Sequence, residues 1–212
     1  MNPVHPNDAE AFRSDHIKTS EMIQSHSFKG LYLNFVIGTM IGLMLIGLTS
    51  MIGTNLFGMS TGMVALSMSV FAIFNGLGRP IFGWIADKVS VRAAMLISYS
   101  MIAMSALLLL LTGRENTLIY PISFSIFWFN LGGWLAIAPT STLVLYGTKH
   151  YNQNYGLVFT AYGIGALVGV ISSGLILDAH GNYYYLFAYI IALCLIGVFF
   201  TFRFIKSRRR SI

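Results

Sequence analysis

The sequence predicts an all-α membrane protein with six transmembrane helices. Hydrophobic residues make up 56% of the 212-residue chain and charged residues only 9%, whereas a soluble domain carries about 25% charged residues. Six apolar runs are each about 20 residues or longer, which is the length that a helix needs to cross a bilayer. The runs are too long for barrel strands and lack their alternation of apolar and polar residues.

Each predicted span is an apolar run bounded by polar or charged segments. The first begins after Lys29, the second contains Arg79 and Pro80 and ends before Asp87, and the third follows Arg92. The last three are set apart by segments that contain Gly, Asn and charged residues. The six spans cover residues 30–52, 62–86, 93–112, 118–139, 156–177 and 183–204.

The segments outside the spans divide into two sides. Residues 53–61, 113–117 and 178–182 connect spans on one side, and residues 87–92 and 148–155 connect them on the other.

Three regions follow from this division. Residues 1–28 are polar, lack the apolar core of a signal peptide and are interpreted as a cytoplasmic N-terminal segment. Residues 29–204 form the six-helix bundle, and residues 205–212 form a basic cytoplasmic tail.

Basic residues predict the orientation in the membrane. Lys and Arg accumulate on the cytoplasmic side of membrane proteins, and here Arg114 alone lies on the side opposite the termini. We therefore expect a multi-pass protein of the plasma membrane with both termini in the cytoplasm. The basic residues on the side of the termini are Arg13, Lys18, Lys29, Lys88, Arg92, Lys149, Arg203, Lys206, Arg208, Arg209 and Arg210.

Arg79 is the basic residue that lies inside a predicted span. A charge in the hydrocarbon layer is tolerated where protein, water or a bound anion surrounds it. We estimate that Arg79 lies about 10–12 Å from the cytoplasmic end of its helix. This depth favours an anion-binding role, and the alternative is that the long side chain reaches the inner headgroups.

Several classes of function lack support in the sequence. No combination of residues typical of an enzyme active site is present, and the five His residues are scattered without the spacing of metal ligands, so we expect neither enzyme, cofactor nor metal site. The net charge of +6 is spread over short basic clusters, which argues against nucleic-acid binding. No Asp or Glu lies within a predicted span, which favours an exchanger or facilitator over a proton symporter that uses a carboxylate.

The loop after the second span resembles a signature of the major facilitator superfamily. That signature has Gly, three residues, Asp, a basic residue, any residue, Gly and two basic positions. Gly83, Asp87, Lys88 and Arg92 match it, whereas Ser90 and Val91 replace a glycine and a basic residue. We predict a conformational loop whose carboxylate caps a helix and pairs with nearby cations. An ordinary charged turn is the alternative.

Further stretches resemble the oxalate/formate antiporter family. They are Ser20-Glu-Met running into Phe28, residues 42–47, residues 75–83 and residues 154–165, which are similar to the central loop and the seventh, eighth and eleventh spans of that family. The resemblance implies the C-terminal half of a twelve-span carrier, built of two inverted three-helix repeats, that moves a small organic anion by alternating access. It also implies a partner with six further spans, either a separate chain or a second copy. The alternative function is a membrane interaction subunit or inactive remnant.

The resemblance also assigns roles to residues. Arg79 falls where the family binds a substrate carboxylate, and Tyr162 falls where oxalate carriers place a lysine, so a monocarboxylate or another organic anion is favoured over oxalate. Tyr162 either donates to a carboxylate or fills a gap between helices.

Other polar and small residues occur in the same predicted spans or beside them. Cavity roles are open for Asn75, Trp128, Asn130 and Trp134, with helix packing as the alternative. Gly165 and Gly169 are four residues apart and are predicted to let helices pack closely. These two glycines face either the partner or their own bundle, and the same two possibilities apply to Gly76, Gly78, Gly163 and Gly174.

Overall fold

The computed structural model describes residues 17–112 and 116–205, and over these ranges the chain is helical without β-strands. A short helix precedes six long ones, and two of the long helices end in a π-helical turn. The helices are α1 (Thr19–Gln24), α2 (His26–Met51, continued by Ile52–Leu56), α3 (Thr61–Trp84, continued by Ile85–Val89), α4 (Val91–Thr112), α5 (Ile119–Tyr146), α6 (Tyr151–His180) and α7 (Tyr183–Phe204). The helices α2 to α7 are long and apolar enough to cross a membrane.

Short polar residues and glycines set the ends of these helices. The hydroxyl oxygens of Ser25 and Ser60 accept hydrogen bonds from the backbone N–H of Phe28 at 3.1 Å and of Met63 at 3.3 Å, which caps α2 and α3. Gly181 follows α6 with φ of 63°, a left-handed conformation that glycine adopts without steric cost. The chain therefore reverses over a few residues between long helices.

The helices are longer than the predicted spans. The fourth span was predicted to end at residue 139 and continues to Tyr146, and the fifth was predicted to begin at residue 156 and begins at Tyr151. Hydropathy detects the part of a helix that crosses the hydrocarbon, whereas the hydrogen-bonded ladder continues into the polar interface. Pro139 lies inside α5 without ending it, as happens in membrane helices whose neighbours compensate for the lost hydrogen bond.

The bundle has a central pair of helices, α2 and α5. The helices α4 and α7 pack against this pair on one side, and α3 and α6 pack against it on the other, with α3 mainly on α5 and α6 mainly on α2. If α2, α3 and α4 exchange places with α5, α6 and α7 in that order, the same pairs of helices remain in contact. Since each unit has three helices, the second unit crosses in the opposite direction, which is the arrangement of an inverted repeat.

The segment before α2 is folded onto the bundle, which the predicted boundary at residue 28 did not anticipate. Met22 of α1 is fully buried. The Asn154 side chain accepts a hydrogen bond from the Thr19 hydroxyl at 2.8 Å and donates one to the Ile17 carbonyl at 3.1 Å. The predictions for residues 1–16 of the N-terminal segment and for residues 206–212 of the tail lie outside the described residues.

Candidate functional site

Arg79 lies on the exposed side of α3, the helix that is least buried within the bundle. Only 17% of the most apolar stretch of α3 is buried, against 61% for α2. Arg79 is about 15 Å along the helix axis from Val89, where the continuous helix ends. In the described parts of the chain one ion pair is formed, between Lys88 Nζ and Asp87 Oδ2 at 3.3 Å. The guanidinium of Arg79 thus has no carboxylate partner among those residues.

A stripe of small residues runs along α3 on both sides of Arg79. Its members and Arg79 together recur every three or four residues, so they share one helix face, and most of the members are exposed. No described atom lies within 4 Å of a Cβ placed at Gly62 or Gly76. We call this the small-residue stripe, and it consists of Gly62, Ala65, Ser69, Ala72, Gly76 and Gly83. The side chains on this face of α3 are therefore short on both sides of Arg79.

The sequence contains a signal for this stripe that our prediction did not use. Gly62, Ser69, Gly76 and Gly83 are each seven residues apart, and Ala65, Ala72 and Arg79 repeat the same interval. A seven-residue interval keeps residues on one face of a helix over several turns. Searching the second span for small residues at this interval would have found the stripe.

The adjacent face of α3 is packed closely against α5. Gly78 faces the backbone at Phe129, and the Asn75 backbone faces Gly132, so neither glycine has room for a side chain. The Asn75 amide nitrogen donates to the Trp128 carbonyl oxygen at 3.0 Å. Asn75 therefore joins the two helices in this structure instead of presenting its amide beside Arg79.

The other polar candidates on α5 are also engaged in packing. The Trp128 indole nitrogen donates to the Thr49 hydroxyl oxygen at 3.2 Å, and the Trp134 ring is fully buried with its centroid 5.2 Å from that of Tyr99. Asn130 is fully buried, and its amide nitrogen donates to the Ile126 carbonyl oxygen at 2.7 Å. These contacts fit the helix-packing alternative for all three residues.

Tyr162 lies at nearly the same depth as Arg79. It is about 16 Å along the axis from Tyr151, the first residue of α6, and α6 begins at the end of the bundle where α3 finishes. Its ring is half-buried and stacks on Phe159, with the centroids 5.3 Å apart and the planes at 6°. The hydroxyl makes no hydrogen bond to another described residue, so it is available to a donor or acceptor outside the bundle.

Tyr162 ends a ladder of aromatic rings on α6. Tyr151 stacks on Tyr155 at 5.7 Å, Tyr155 lies 5.7 Å from Phe159, and Phe159 stacks on Tyr162. The first two rings are at the depth where aromatic residues commonly anchor membrane proteins. The ladder continues from that interface toward the middle of the span.

The glycines that were considered for a partner-facing seam fall into two groups. Gly165 is packed against Thr39 and Val36, and a Cβ on Gly169 would lie 2.7 Å from the Met40 carbonyl oxygen, so both fit closely against α2. Together with Gly78, they face their own bundle. By contrast, no described atom lies within 4 Å of a Cβ placed at Gly76, Gly163 or Gly174.

The loop with the signature residues forms a π-helical turn followed by a helix cap. Ser90 stands at the cap, where its hydroxyl oxygen accepts a hydrogen bond from the Ala93 N–H at 3.0 Å. Asp87 pairs with Lys88, and the Arg92 guanidinium lies 4.4 Å from the centre of the Phe202 ring on α7. Ser90, a residue that departs from the signature, thus caps the start of α4.

Gly83, the first residue of the signature, belongs to α3 instead of the turn. A Cβ there would lie 3.6 Å from that of Ala136 on α5, an ordinary contact distance. The basic residues of this region, Lys88 and Arg92, lie at the end of the bundle that also carries Lys29, Lys149 and Arg203. No group of His, Cys, Asp and Glu that could hold a metal is found in residues 17–112 and 116–205.

Comparison with known proteins gives one family and several relatives. The model of the Major Facilitator Superfamily matches residues 30–211. An oxalate:formate antiporter of Oxalobacter formigenes is 24% identical over 151 residues, which cover 71% of this chain and 36% of the relative. Monocarboxylate transporter 14 of Mus musculus is 31% identical over 134 residues, which cover 62% of this chain and 26% of the relative.

A bacterial transporter of unassigned substrate gives a similar result. The uncharacterized MFS-type transporter YhjX of Escherichia coli is 25% identical over 148 residues, which cover 70% of this chain and 37% of the relative. The chain thus spans about a third of the length of these relatives.

Proposed function

The chain belongs to the major facilitator superfamily. We propose that it corresponds to the C-terminal half of a carrier, and that this carrier moves a small organic anion across the plasma membrane by alternating access. The family is one of transporters, which points to a non-enzymatic role. Relatives named as an oxalate:formate antiporter and as monocarboxylate transporters support a carboxylate as the transported group.

The observation that carries this proposal is the position of Arg79. Its guanidinium is exposed near mid-span and has no carboxylate partner among the described residues. An arginine at the centre of a membrane helix costs about 2.5–3.5 kcal/mol on insertion scales. A carboxylate bound through two parallel hydrogen bonds would offset that cost and explain why arginine stands there.

A single fixed cation favours a substrate with one carboxylate. Tyr162 occupies the position where the family's oxalate carriers have lysine, so this half offers one charge where those carriers offer two. The free hydroxyl of Tyr162, at the depth of Arg79, would orient a monocarboxylate by a neutral hydrogen bond.

A second six-helix unit is the partner that this arrangement requires. The chain covers about a third of its relatives' length, and α3 and α6 leave most of their surfaces uncovered. A partner unit on this side would enclose Arg79 and complete a pathway with two walls.

The uncovered helices also favour a second candidate function. Large apolar side chains such as Leu66, Ile73 and Leu167 are between 63% and 71% exposed. Such a surface would bind a membrane partner even if the chain transports nothing. A membrane interaction subunit or an inactive remnant is therefore the alternative.

Uptake into membrane vesicles separates these functions. The vesicles come from cells that produce the chain, so that a natural partner stays present, and the probes are radiolabelled formate, lactate and oxalate. We expect Arg79→Ala to reduce uptake to background, and Arg79→Lys to restore only part of it because lysine lacks the two-pronged geometry. The matched control is Arg203→Ala, which removes an exposed arginine at the end of α7.

Two outcomes would count against transport through Arg79. Uptake by Arg79→Ala equal to that of Arg203→Ala would assign the arginine to the membrane interface. Absence of uptake of all three probes by the parent chain, with the protein present and folded, would favour the interaction subunit.

A further inference from the structure

Buried polar atoms without a protein partner are concentrated on two neighbouring helices. Five such side-chain atoms occur in the described residues, and all belong to α4 or α5. They are Ser98 Oγ, Ser105 Oγ, Asn130 Oδ1, Trp134 Nε1 and Ser141 Oγ. Buried polar groups in proteins normally find a partner in protein or in ordered water, so this concentration calls for an explanation.

Two of the five atoms, those of Ser98 and Asn130, lie at one level of the bundle. α4 and α5 run antiparallel, and the Ser123 hydroxyl donates to the Ser105 carbonyl oxygen at 3.5 Å. Seven residues toward the start of α4 from Ser105 is Ser98, and seven residues along α5 from Ser123 is Asn130. Because the helices are antiparallel, these two steps lead in the same direction through the bundle, and Ser98 and Asn130 lie at one level. A step of seven residues returns to the same face of a helix, so both residues stay on the sides where α4 and α5 face each other.

Trp134 belongs to the same cluster. It follows Asn130 by four residues on α5 and therefore lies on the same helix face. Its ring contacts Tyr99, the neighbour of Ser98 on α4, with the centroids 5.2 Å apart. Ser98, Asn130 and Trp134 are each 0% exposed.

The orientation of the polar groups is fixed by their other contacts. The Ile126 carbonyl can only accept a hydrogen bond, so the Asn130 amide nitrogen must point to it, and Oδ1 points away. The Tyr99 hydroxyl is already used, since it donates to the Asn34 carbonyl oxygen at 3.1 Å. The cluster thus combines an acceptor, a donor and a hydroxyl that can be either.

We propose that Ser98, Asn130 and Trp134 bind an internal water molecule that connects α4 with α5. A cation does not fit, because the indole N–H is a donor only, and an anion does not fit, because the amide oxygen is an acceptor only. Water both donates and accepts, and buried waters typically make about three hydrogen bonds. The site joins the last helix of the first three-helix repeat to the first helix of the second repeat.

The first test reads the hydrogen bond of the Trp134 indole directly. Ultraviolet resonance Raman spectra of the full chain in detergent, minus those of Trp134→Phe, isolate the indole band that is sensitive to hydrogen bonding. We expect the position of a hydrogen-bonded indole, and a shift to the position of a free indole in the Ser98→Ala/Asn130→Leu double variant. The matched control is Ser141→Ala, which removes a buried hydroxyl elsewhere on α5 and should leave the band unchanged.

The second test distinguishes water from direct pairing of the side chains. Brief X-ray radiolysis produces hydroxyl radicals from water, which oxidise a buried side chain when water contacts it. We expect Trp134 to be oxidised several-fold more than Phe124 and Tyr120, which are equally buried. A free indole in the parent chain, or a hydrogen-bonded Trp134 that resists oxidation as these rings do, would overturn the proposal. Neither result depends on the folding of the double variant.

Discussion

At the scale of single residues, glycine positions decide which helix faces can approach one another. Gly165 allows α6 to lie against Thr39 and Val36 of α2, whereas Gly163, two residues away and therefore on the opposite face, has no packing neighbour among the described residues near its missing side chain. Sequence spacing identified both as candidates for packing but could not assign them to a face. The assignment depends on how α6 is rotated about its axis, and contacts along the whole helix set that rotation.

The two glycines should therefore respond differently to substitution. We expect Gly165→Leu to destabilise the bundle by about 1–3 kcal/mol, because the added side chain meets Thr39 and the Val36 carbonyl. Gly163→Leu introduces the same side chain into open space and serves as the matched control. Thermal unfolding in detergent measures both, and equal midpoints for the two variants would contradict the observed rotation of α6.

The polar candidates show a second limit of sequence reasoning at this scale. Arg79 could be found from the sequence because a charge within an apolar run is conspicuous. Asn75 and Trp128 are ordinary membrane-helix residues, and only the close approach at Gly78 and Gly132 brings them onto neighbouring helices. No local pattern in the sequence reports that approach.

At the scale of helices, the ends are set by short polar side chains more than by the extent of the apolar runs. The number of spans was predicted because each apolar run is long enough to cross the bilayer. The fourth span continues to Tyr146 because residues 140–146 continue the backbone hydrogen bonds of the helix, although these residues are less apolar than the run before them. Hydropathy cannot detect such an extension.

Ser90 is the clearest case of a residue that sets a helix end. We expect Ser90→Ala to lower the stability by about 1 kcal/mol, since the Ala93 N–H loses its partner, and Ser90→Gly to cost only a few tenths. Ser100→Ala, at an exposed position inside α4, is the control and should not lower the unfolding midpoint. If Ser90→Ala unfolds at the parental temperature, the cap does not contribute to stability.

At the scale of the whole molecule, the basic residues gather at the end of the bundle where α2 begins. Among the described residues, Lys29, Lys88, Lys149 and Arg203 lie there, and the opposite connections that are described, 57–60, 116–118 and 181–182, carry no Lys or Arg. The positive-inside tendency supports our proposal that this end faces the cytoplasm. The pairing of helices, by contrast, could not be read from charge or hydropathy, because all six spans are apolar on most sides.

Cysteine labelling in intact cells tests this orientation. We expect Asn116→Cys to react with an impermeant thiol reagent from outside, and Ser20→Cys to react only after permeabilisation. Both positions are exposed, and the chain's own Cys194 is buried at 1% exposure and gives little background. Labelling of Ser20→Cys in intact cells would invert the proposed orientation.

The uncovered sides of α3 and α6 lead to the last prediction, which concerns a partner. Small residues at regular intervals let helix backbones approach closely. Gly76 of the small-residue stripe lies one turn before Arg79, and no atom of another described helix lies within 4 Å of a Cβ placed there. We expect Gly76→Cys to cross-link, in native membranes, to a protein of six spans. The control is Met104→Cys, 72% exposed on α4 at the other side of the bundle, which should cross-link at background level. Mass analysis of the product identifies a second copy or a separate chain, and transport by a chain that stays monomeric throughout would show that one bundle is sufficient.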